Sequence, residues 1–433
     1  MTRRWPATIL ALLVSVSLLV AGCGQGSGQK EPAGGAPKGE SKAKEFPLGV
    51  EVIKIGVQGV LSGSHADYGR QMQMGATLAA EEINAAGGVL GSKIELKVMD
   101  DELNGNVAQK NARYLVSDWG ANFMVGTDSS GVALSLGPIL RELDTIQIFT
   151  HAATEKLTED LVYKQGIKQI FRASVPTYQD AIMAAYVFKD MPEVKRFAAL
   201  NADYEYGHTS WRMFKETLSK FRNDVEFVAE ANAPFWTADF TPHLSKLMAA
   251  KPDVIFATPW AGEAVMMLRQ ALSMGVFEQI DAWWQAMGGS VDVLEGLATD
   301  VKKDAFKGKL WGTGRYIHNW PDTPENKAFV KAFLQRWNRY PNYSAETAYS
   351  AIYMLKAAVE KAGSLKTSEV IEALEGLKIM TPAGERYIRP EDHQAVYNVP
   401  AGRVIVSPDY PIPIVGGDLK IVPADEYYRK PPF

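Results

Sequence analysis

The sequence predicts an α/β fold of two lobes, each built on a parallel β-sheet. Nine short apolar runs between residues 53 and 286 alternate with amphipathic stretches. Strands that are apolar along nearly their whole length need cover on both faces, which is typical of parallel sheets. Repeated strand and helix units also indicate right-handed crossovers. About 380 residues follow the N-terminal segment, more than one core usually serves, so we expect two lobes.

Helical stretches follow the apolar runs. The first lies after Tyr68 and ends at the paired glycines Gly87 and Gly88, and its apolar stripe consists of Met72, Ala76, Ala79 and Ile83. Further helices are predicted to begin near Asn106, Ser130, Tyr178, His208, Asp239 and Gly262. After Tyr316 the sequence is rich in helical patterns, and its Pro-rich end has strand-like pieces without a helix.

The N-terminal 22 residues predict a secretory signal peptide. Arg3 and Arg4 precede an apolar run that is too short to span a bilayer stably. The run ends in Val-Ala-Gly before Cys23, the only cysteine of the chain, and this ending resembles the lipobox of bacterial lipoproteins, whose cysteine carries lipid. The alternative is an ordinary signal peptide with a chance cysteine near its end. Residues 23–50 are rich in Gly, Ser, Pro, Lys and Glu and predict a disordered tether.

Several function classes are disfavoured by the composition. The net charge is −4 with acids and bases interspersed, which argues against nucleic acid as a partner. The six histidines show no metal-ligand spacing, and neither a dinucleotide fingerprint nor a Walker lysine is present, so we expect no metal and no cofactor. Ser64, His65 and Asp67 are neighbours on one loop, whereas a catalytic relay is assembled by geometry across a fold. We therefore expect no enzyme.

Two loops that follow predicted strands carry hydroxyl side chains. Ser129 and Ser130 lie in TDSSG, and Thr154 lies in THAAT. Ligands of open α/β sheets gather at the carboxyl ends of strands. A helix that begins there offers free backbone N–H groups and a positive dipole end, so these loops predict a carboxylate site. The alternative is that each hydroxyl only caps its helix.

Aromatic residues cluster at the same strand ends. They are Tyr68, Tyr206, Trp260, Trp283 and Trp284. Such a ring can contact a ligand with one face while its O–H or N–H group forms a hydrogen bond. The alternative for each residue is that its ring only packs against the protein and is half-exposed.

The chain resembles the leucine/isoleucine/valine-type solute-binding proteins of ABC importers, which have the type I periplasmic binding fold. The resemblance begins with IKIGVQGVLSGSHADYG and continues through VGTDSSG, IFTHAAT, NADYEYG and DVIFATPWAGEAVMMLRQA. It implies two Rossmann-like lobes joined by three hinge crossovers, which close on a ligand. We expect residues 51–174 and 315–379 to form lobe 1, and 175–314 and 380–433 to form lobe 2.

The resemblance also implies a ligand site shared by both lobes. Its lobe 1 residues are Tyr68, Ser129, Ser130, Gly131, Ala152, Ala153 and Thr154, and its lobe 2 residues are Tyr206, Trp260 and Gln285. Amino-acid-binding members pair the ligand ammonium with a lobe 2 acid, but here no acid lies between Gln285 and Asp292. Because an unpaired buried ammonium is costly, either the ligand lacks an amino group or another acid substitutes, for which the candidates are Asp203, Glu205 and Glu263.

These features predict a monomeric, lipid-anchored binding protein that presents a small solute to an ABC permease. We expect an amino acid or a related carboxylate as the solute. The alternatives are an aromatic or aliphatic acid without an amino group, and a sensory lipoprotein with the same fold. The location is the periplasm or the outer face of the cell membrane, and the sequence does not distinguish them.

Overall fold

The computed structural model describes residues 46–433. The predicted signal peptide, Cys23 and tether residues 23–45 lie outside this range. Residues 46–50, which we assigned to the tether, belong to the folded body. Leu48 and Val50 pack against the core of lobe 1, and the Ser92 hydroxyl donates to the Val50 carbonyl at 2.6 Å. The predicted end of the tether at residue 50 was therefore too late, because the core that covers its last apolar residues is formed by parts of the chain that are distant in sequence.

Lobe 1 contains a five-stranded parallel sheet in the order β2-β1-β3-β4-β5. Its strands are β1 (Val52–Gly59), β2 (Lys93–Asp100), β3 (Phe123–Val125), β4 (Ile146–Phe149) and β5 (Ile170–Arg172). Its helices are α1 (Ala66–Ala85), α2 (Gly105–Arg113) and α3 (Ser130–Leu143), with π-helical segments at Tyr114–Asp118 and Leu157–Lys164. Apolar side chains of β1, β3 and β4 are buried, as continuous hydrophobicity predicts.

Lobe 2 contains a seven-stranded sheet in the order β15-β14-β10-β9-β8-β6-β7. The parallel strands are β6 (Arg196–Ala202), β7 (Glu226–Ala233), β8 (Val254–Ala257), β9 (Ala282–Gln285) and β10 (Leu310–Thr313). The helices are α4 (Thr177–Phe188), α5 (Glu205–Phe221), α6 (Thr241–Ala249), α7 (Ala261–Ser273), α8 (Val276–Gln279), α9 (Val291–Gly296) and α10 (Ala298–Lys302).

The remaining chain crosses between the lobes. After β10 it forms α11 (Pro324–Trp337), α12 (Tyr343–Ala362) and α13 (Thr367–Leu374), followed by a small antiparallel sheet of β11 (Lys378–Thr381), β12 (Gly384–Ile388) and β13 (Ala395–Val396). It then adds the antiparallel strands β14 (Val399–Ile405) and β15 (Ile414–Val422) to the β10 side of the lobe 2 sheet, and ends with α14 (Ala424–Tyr427). The predicted two-lobed α/β architecture with three crossings, after β5, β10 and β13, is confirmed.

The third crossing lies later than the predicted boundary at residue 380. Ile388 and Ala395 are buried in the lobe 1 core, and the His393 ring stacks on Phe171 of β5 with centroids 4.0 Å apart. Residues 384–396 therefore pack with lobe 1 rather than lobe 2. This assignment depends on contacts between residues more than two hundred positions apart, which a local pattern does not reveal. Among the described residues, no helix combines the length and apolarity that a membrane crossing requires.

Candidate functional site

A small cavity lies between the lobes at the carboxyl ends of their strands. It is lined by Asp128, Ser130, His151, Ala153, Tyr204, Tyr206, Trp260, Met287, Arg315 and Tyr343. Both lobes contribute to the wall, as the strand-end loops predict.

The lobe 1 wall is built around the N-terminus of α3. Ser130 is the first residue of this helix, and its hydroxyl oxygen accepts a hydrogen bond from the Thr154 backbone N–H at 3.2 Å. The bond joins the loop after β3 to the loop after β4, and Ala153 lines the cavity beside it. The Thr154 hydroxyl is buried and has no hydrogen-bond partner in the described part of the chain. Ser130 and Ala153 thus bring the start of α3 and the loop after β4 together on the cavity wall, whereas Thr154 does not line the cavity.

The neighbouring predicted residues are placed differently. Ser129 occupies the N-cap position of α3 with extended backbone angles, but its side chain makes no capping bond. Ala152 is buried, and its N–H is engaged by the Thr127 carbonyl at 3.2 Å. Gly131 is exposed in the first turn of α3. The structure therefore places Ser130 and Ala153 on the cavity and Thr154 in contact with Ser130, while these three neighbours do not line the cavity.

Aromatic rings from both lobes meet at the cavity. Trp260 of lobe 2 lies across from Tyr68 of lobe 1, with ring centroids 4.9 Å apart. Tyr68 is fully buried and packs behind the lining residue Tyr343 at 5.4 Å, so it supports the wall rather than forming its surface. Tyr206 lines the cavity, and its hydroxyl donates to Asp180 at 3.1 Å. The wall of the cavity is therefore rich in aromatic rings, with a few polar groups.

Arg315 was missed by sequence reasoning and supplies the cation of the cavity. It lies at the second crossing, 3% exposed, and its Nη2 donates to Asp180 Oδ2 at 2.7 Å. Its Nη1 donates to the His151 carbonyl of lobe 1 at 2.9 Å, so one guanidinium contacts both lobes. Burial, followed by the charge of Arg315, holds the pKa of His151 well below its usual value, and this ring is neutral. The sequence did not point to Arg315 because the strand before it, LWGT, is too rich in small residues to be recognised as an apolar run.

Asp128 was also missed, although it lies within the TDSSG loop. Its Oδ2 accepts from the Val60 N–H at 2.7 Å. Its Oδ1 is buried without a hydrogen-bond partner among the described residues. Burial, and then the charge of Asp101, raises the pKa of Asp128 well above its usual value. The TDSSG loop thus carries an acid as well as hydroxyls into the cavity.

Gln285 and the three candidate acids are engaged elsewhere. The Gln285 amide donates to the Pro259 carbonyl and accepts from the Trp283 indole, and Met287 lines the cavity in its place. The acids have separate partners, and none of them lines the cavity: Asp203 pairs with His208 at 3.0 Å, Glu205 pairs with Lys156 at 2.9 Å, and Glu263 accepts from the Trp236 N–H at 2.6 Å.

Comparison with known proteins decides the family. The sequence profile described as periplasmic binding protein matches residues 52–407. The chain belongs to this family. Its members are the solute-binding proteins of ABC transporters, and these binding proteins are not enzymes. The predicted type I periplasmic binding fold and the predicted resemblance to the leucine/isoleucine/valine-type proteins are thereby confirmed.

Two curated relatives and one solved structure are similar to this chain. The chain is 30% identical over 350 residues to the Leu/Ile/Val-binding protein BraC3 of Rhizobium johnstonii, covering 78% of this chain and 88% of that protein. It is 28% identical over 339 residues to a leucine-, isoleucine-, valine-, threonine- and alanine-binding protein of Pseudomonas aeruginosa, covering 78% and 86%. A solute-binding protein of Rhodopseudomonas palustris in complex with 3,4-dihydroxybenzoic acid shares the fold, with a TM-score of 0.74, 22% identity and coverage of 87% and 98%.

Proposed function

We propose that this periplasmic binding protein captures a small amino acid between its lobes and delivers it to an ABC permease. The observation that carries the proposal is that one acidic and one basic side chain, Asp128 and Arg315, line the same interlobe cavity. A zwitterion presents the complementary charges. The names of the two curated relatives, which specify aliphatic amino acids, support the same ligand class.

The ligand carboxylate is assigned to the side of the cavity that holds Ser130, Ala153 and Arg315. The N-terminus of α3 brings the positive end of its dipole to this side. The Arg315 guanidinium is paired with Asp180, which balances most of its charge. It therefore contributes to the carboxylate site mainly by its N–H donors, which orient the ligand carboxylate. The aromatic rings of Tyr206 and Trp260 then cover the ligand side chain.

Ion pairs between the lobes, on both sides of the cleft, stabilise the closed state. Arg339 donates to Asp67 of α1 at 2.6 Å and to Glu295 of α9 at 2.9 Å, and Arg212 of α5 donates to Glu155 of lobe 1 at 3.3 Å. These pairs are partly exposed and individually weak. A ligand that touches both walls binds the closed state better than the open state, so it shifts the population toward closure.

A thermal-shift screen tests the proposed ligand class. The probes are the twenty amino acids, benzoate, hydroxybenzoates and short aliphatic acids, and a ligand of the native state raises the melting temperature. We expect aliphatic amino acids to give the largest shifts. Shifts with benzoates alone would instead favour an aromatic acid, the second candidate, which the ring-lined cavity and the Rhodopseudomonas palustris complex support. No shift with any probe would contradict both.

We also propose that Cys23 carries a lipid that tethers the protein outside the cytoplasm. The support is the Val-Ala-Gly-Cys ending of the apolar segment. In cells fed a labelled fatty acid, the wild-type chain should take up label and sediment with membranes, and Cys23→Ala should do neither. Equal membrane association of both would contradict the anchor. Uptake assays in cells lacking the protein separate delivery to a permease from sensing, because a sensor is dispensable for uptake.

A further inference from the structure

The acid of the cavity, Asp128, is held so that one carboxylate oxygen remains for a ligand. Its Oδ2 accepts from the Val60 N–H at 2.7 Å. Gly59 approaches so closely that a Cβ there would lie 2.8 Å from the same oxygen. The carboxylate therefore cannot withdraw toward β1. Its Oδ1 is buried and has no hydrogen-bond partner among residues 46–433.

Resting on the proposed function, we propose that Asp128 accepts the protonated nitrogen of the ligand, and that this capture expels a proton from the protein. Asp128 takes the place of the lobe 2 acid that the sequence lacks. It is a specificity residue for ligands that carry an amino group, and it links their affinity to pH.

The other acids near the cavity are already committed. Asp180 accepts from Arg315 and from the Tyr206 hydroxyl, so its charge is balanced within the protein. Among the residues that line the cavity, Asp128 is the one with a carboxyl group. A ligand ammonium placed elsewhere in the cavity would stay unpaired in a buried site, which is strongly unfavourable.

The groups around Asp128 favour its protonated form when the cavity holds no cation. Asp100 and Asp101 face it from the end of β2, and Tyr343 of α12 and Tyr204 before α5 lie on the cavity wall. Burial raises the pKa of Asp101 to about 6, and burial, followed by the charge of Asp101, raises the pKa of Asp128 well above its usual value. Arg315 lies on the same wall, but its guanidinium is engaged by Asp180.

The proton balance of capture follows from this arrangement. The ligand enters as a zwitterion with its ammonium protonated, and Asp128 enters as a carboxylic acid. The ammonium stabilises the carboxylate form, so the Asp128 proton passes to solvent and an ion pair remains. A carboxylic acid without the amino group leaves this proton in place. Affinity for an amino acid should therefore rise with pH by up to about tenfold per unit, and affinity for the acid should not rise.

Calorimetry with matched ligands tests the proposal. The probes are L-leucine with 4-methylpentanoate, and L-phenylalanine with 3-phenylpropanoate, titrated at pH 7 in phosphate and in Tris. The two buffers differ in ionisation enthalpy, so the difference in heat reports protons released. We expect proton release when an amino acid binds and none when the matched acid binds. Asp128→Asn should weaken amino acid binding by about tenfold or more, abolish the release, and spare the acids.

Two further variants complete the experiment. Asp203→Asn removes an exposed acid outside the cavity and should match the wild type. Asp101→Asn should keep amino acid binding and move its pH dependence to lower pH, because the neighbouring charge that raises the pKa of Asp128 is gone. Unchanged far-ultraviolet circular dichroism and melting temperature establish that each variant is folded.

The outcomes separate this inference from the proposed function. Amino acid binding without proton release, or equal amino acid affinity in the wild type and in folded Asp128→Asn, overturns the inference and leaves the proposed function intact. Absence of binding by every amino acid probe and every amino acid of the thermal screen overturns both.

Discussion

Arg315 and Asp180 form a buried ion pair on which both the cavity and the hinge depend. Arg315 lies at the second crossing, and Asp180 lies on α4 directly after the first. The guanidinium also binds the His151 carbonyl, so three separate parts of the chain meet at one side chain. Breaking a buried pair from one side leaves the other charge uncompensated.

Arg315→Met tests the contribution of this pair to stability. We expect the free energy of unfolding to fall by about 3–5 kcal/mol, because the Asp180 carboxylate stays buried without its partner. Urea denaturation followed by tryptophan fluorescence measures this loss. Adding Asp180→Leu to the same chain should recover much of it. Arg113→Met breaks an exposed pair with Glu142 and should cost far less stability than Arg315→Met, because solvent screens the exposed pair. Equal losses for the buried and exposed pairs would contradict the assignment.

Ser130 and Thr154 are the hydroxyls expected to bind the ligand carboxylate. Ser130→Ala and Thr154→Ala should each weaken binding by about 1–3 kcal/mol, as expected for hydrogen bonds to a charged partner. Calorimetry with the strongest ligand of the thermal screen measures the change. Ser135→Ala is the matched control, because this hydroxyl lies on the same helix and bonds the Val132 carbonyl instead. Wild-type affinity in both site variants would place the carboxylate elsewhere.

At the scale of elements, a turn of lobe 1 and a loop of lobe 2 close the rim of the cleft. We call this contact the rim latch, formed by the turn Gly63–His65, Trp236 and Trp260. The His65 ring lies 4.2 Å from that of Trp260 and 5.3 Å from that of Trp236. A Cβ on Gly63 would lie 2.2 Å from the Trp236 ring. The glycine allows the two lobes to meet there.

Gly63→Ala should therefore hinder closure. The added methyl group collides with Trp236, and the residue also has a left-handed φ of +69°. In small-angle scattering we expect the ligand-saturated variant to keep a larger radius of gyration than the ligand-saturated wild type. Gly166→Ala is the control for backbone strain alone, because its φ is +66° and a Cβ there meets nothing within 4 Å. Identical radii for wild type and Gly63→Ala would show that the rim latch does not limit closure.

Element boundaries were predicted well where the signal is local. Helices predicted to begin near Ser130, Tyr178 and Gly262 begin at Ser130, Thr177 and Ala261. The apolar face of a helix and the apolar run of a strand are written in adjacent residues, so their ends can be read from the sequence. The small sheet of β11, β12 and β13 was not separated from the tail, because its cover comes from β5 and the lobe 1 core.

At the scale of the whole molecule, buried ionisable groups make stability depend on pH. Burial raises the pKa of Glu263 to about 7, while the Trp236 N–H opposes the shift. Because the pKa of Glu263 is raised in the folded state, this group contributes its full stabilisation of the fold at a pH below 4.5, its ordinary pKa. The contribution is lost as the pH rises through 7. Burial lowers the pKa of His65 to about 4, so this neighbour stays neutral over most of that range.

Glu263→Gln isolates this contribution. The amide keeps an acceptor for Trp236 but does not ionise, so the variant should gain stability relative to the wild type as the pH rises from about 5 to about 8. Melting temperatures across this range measure the difference. Glu142→Gln is the control, because Glu142 is exposed and its pKa is lowered by Arg113, so the variant should differ from the wild type by a constant amount. Parallel pH profiles for Glu263→Gln and the wild type would contradict the expectation.

The sequence by itself determined the α/β class, the two lobes and the hydroxyl loops of the site, because periodicity and strand-end chemistry are local. Ser130, Ala153, Tyr206 and Trp260 were predicted and lie on the cavity. Only the tertiary structure decided which ionisable side chains line the cavity. Arg315 and Asp128 come together through crossings and strand order, and Glu263 is drawn away to Trp236. Whether a buried charge faces a ligand or a neighbour depends on which distant segments surround it, and the local pattern of residues does not contain that information.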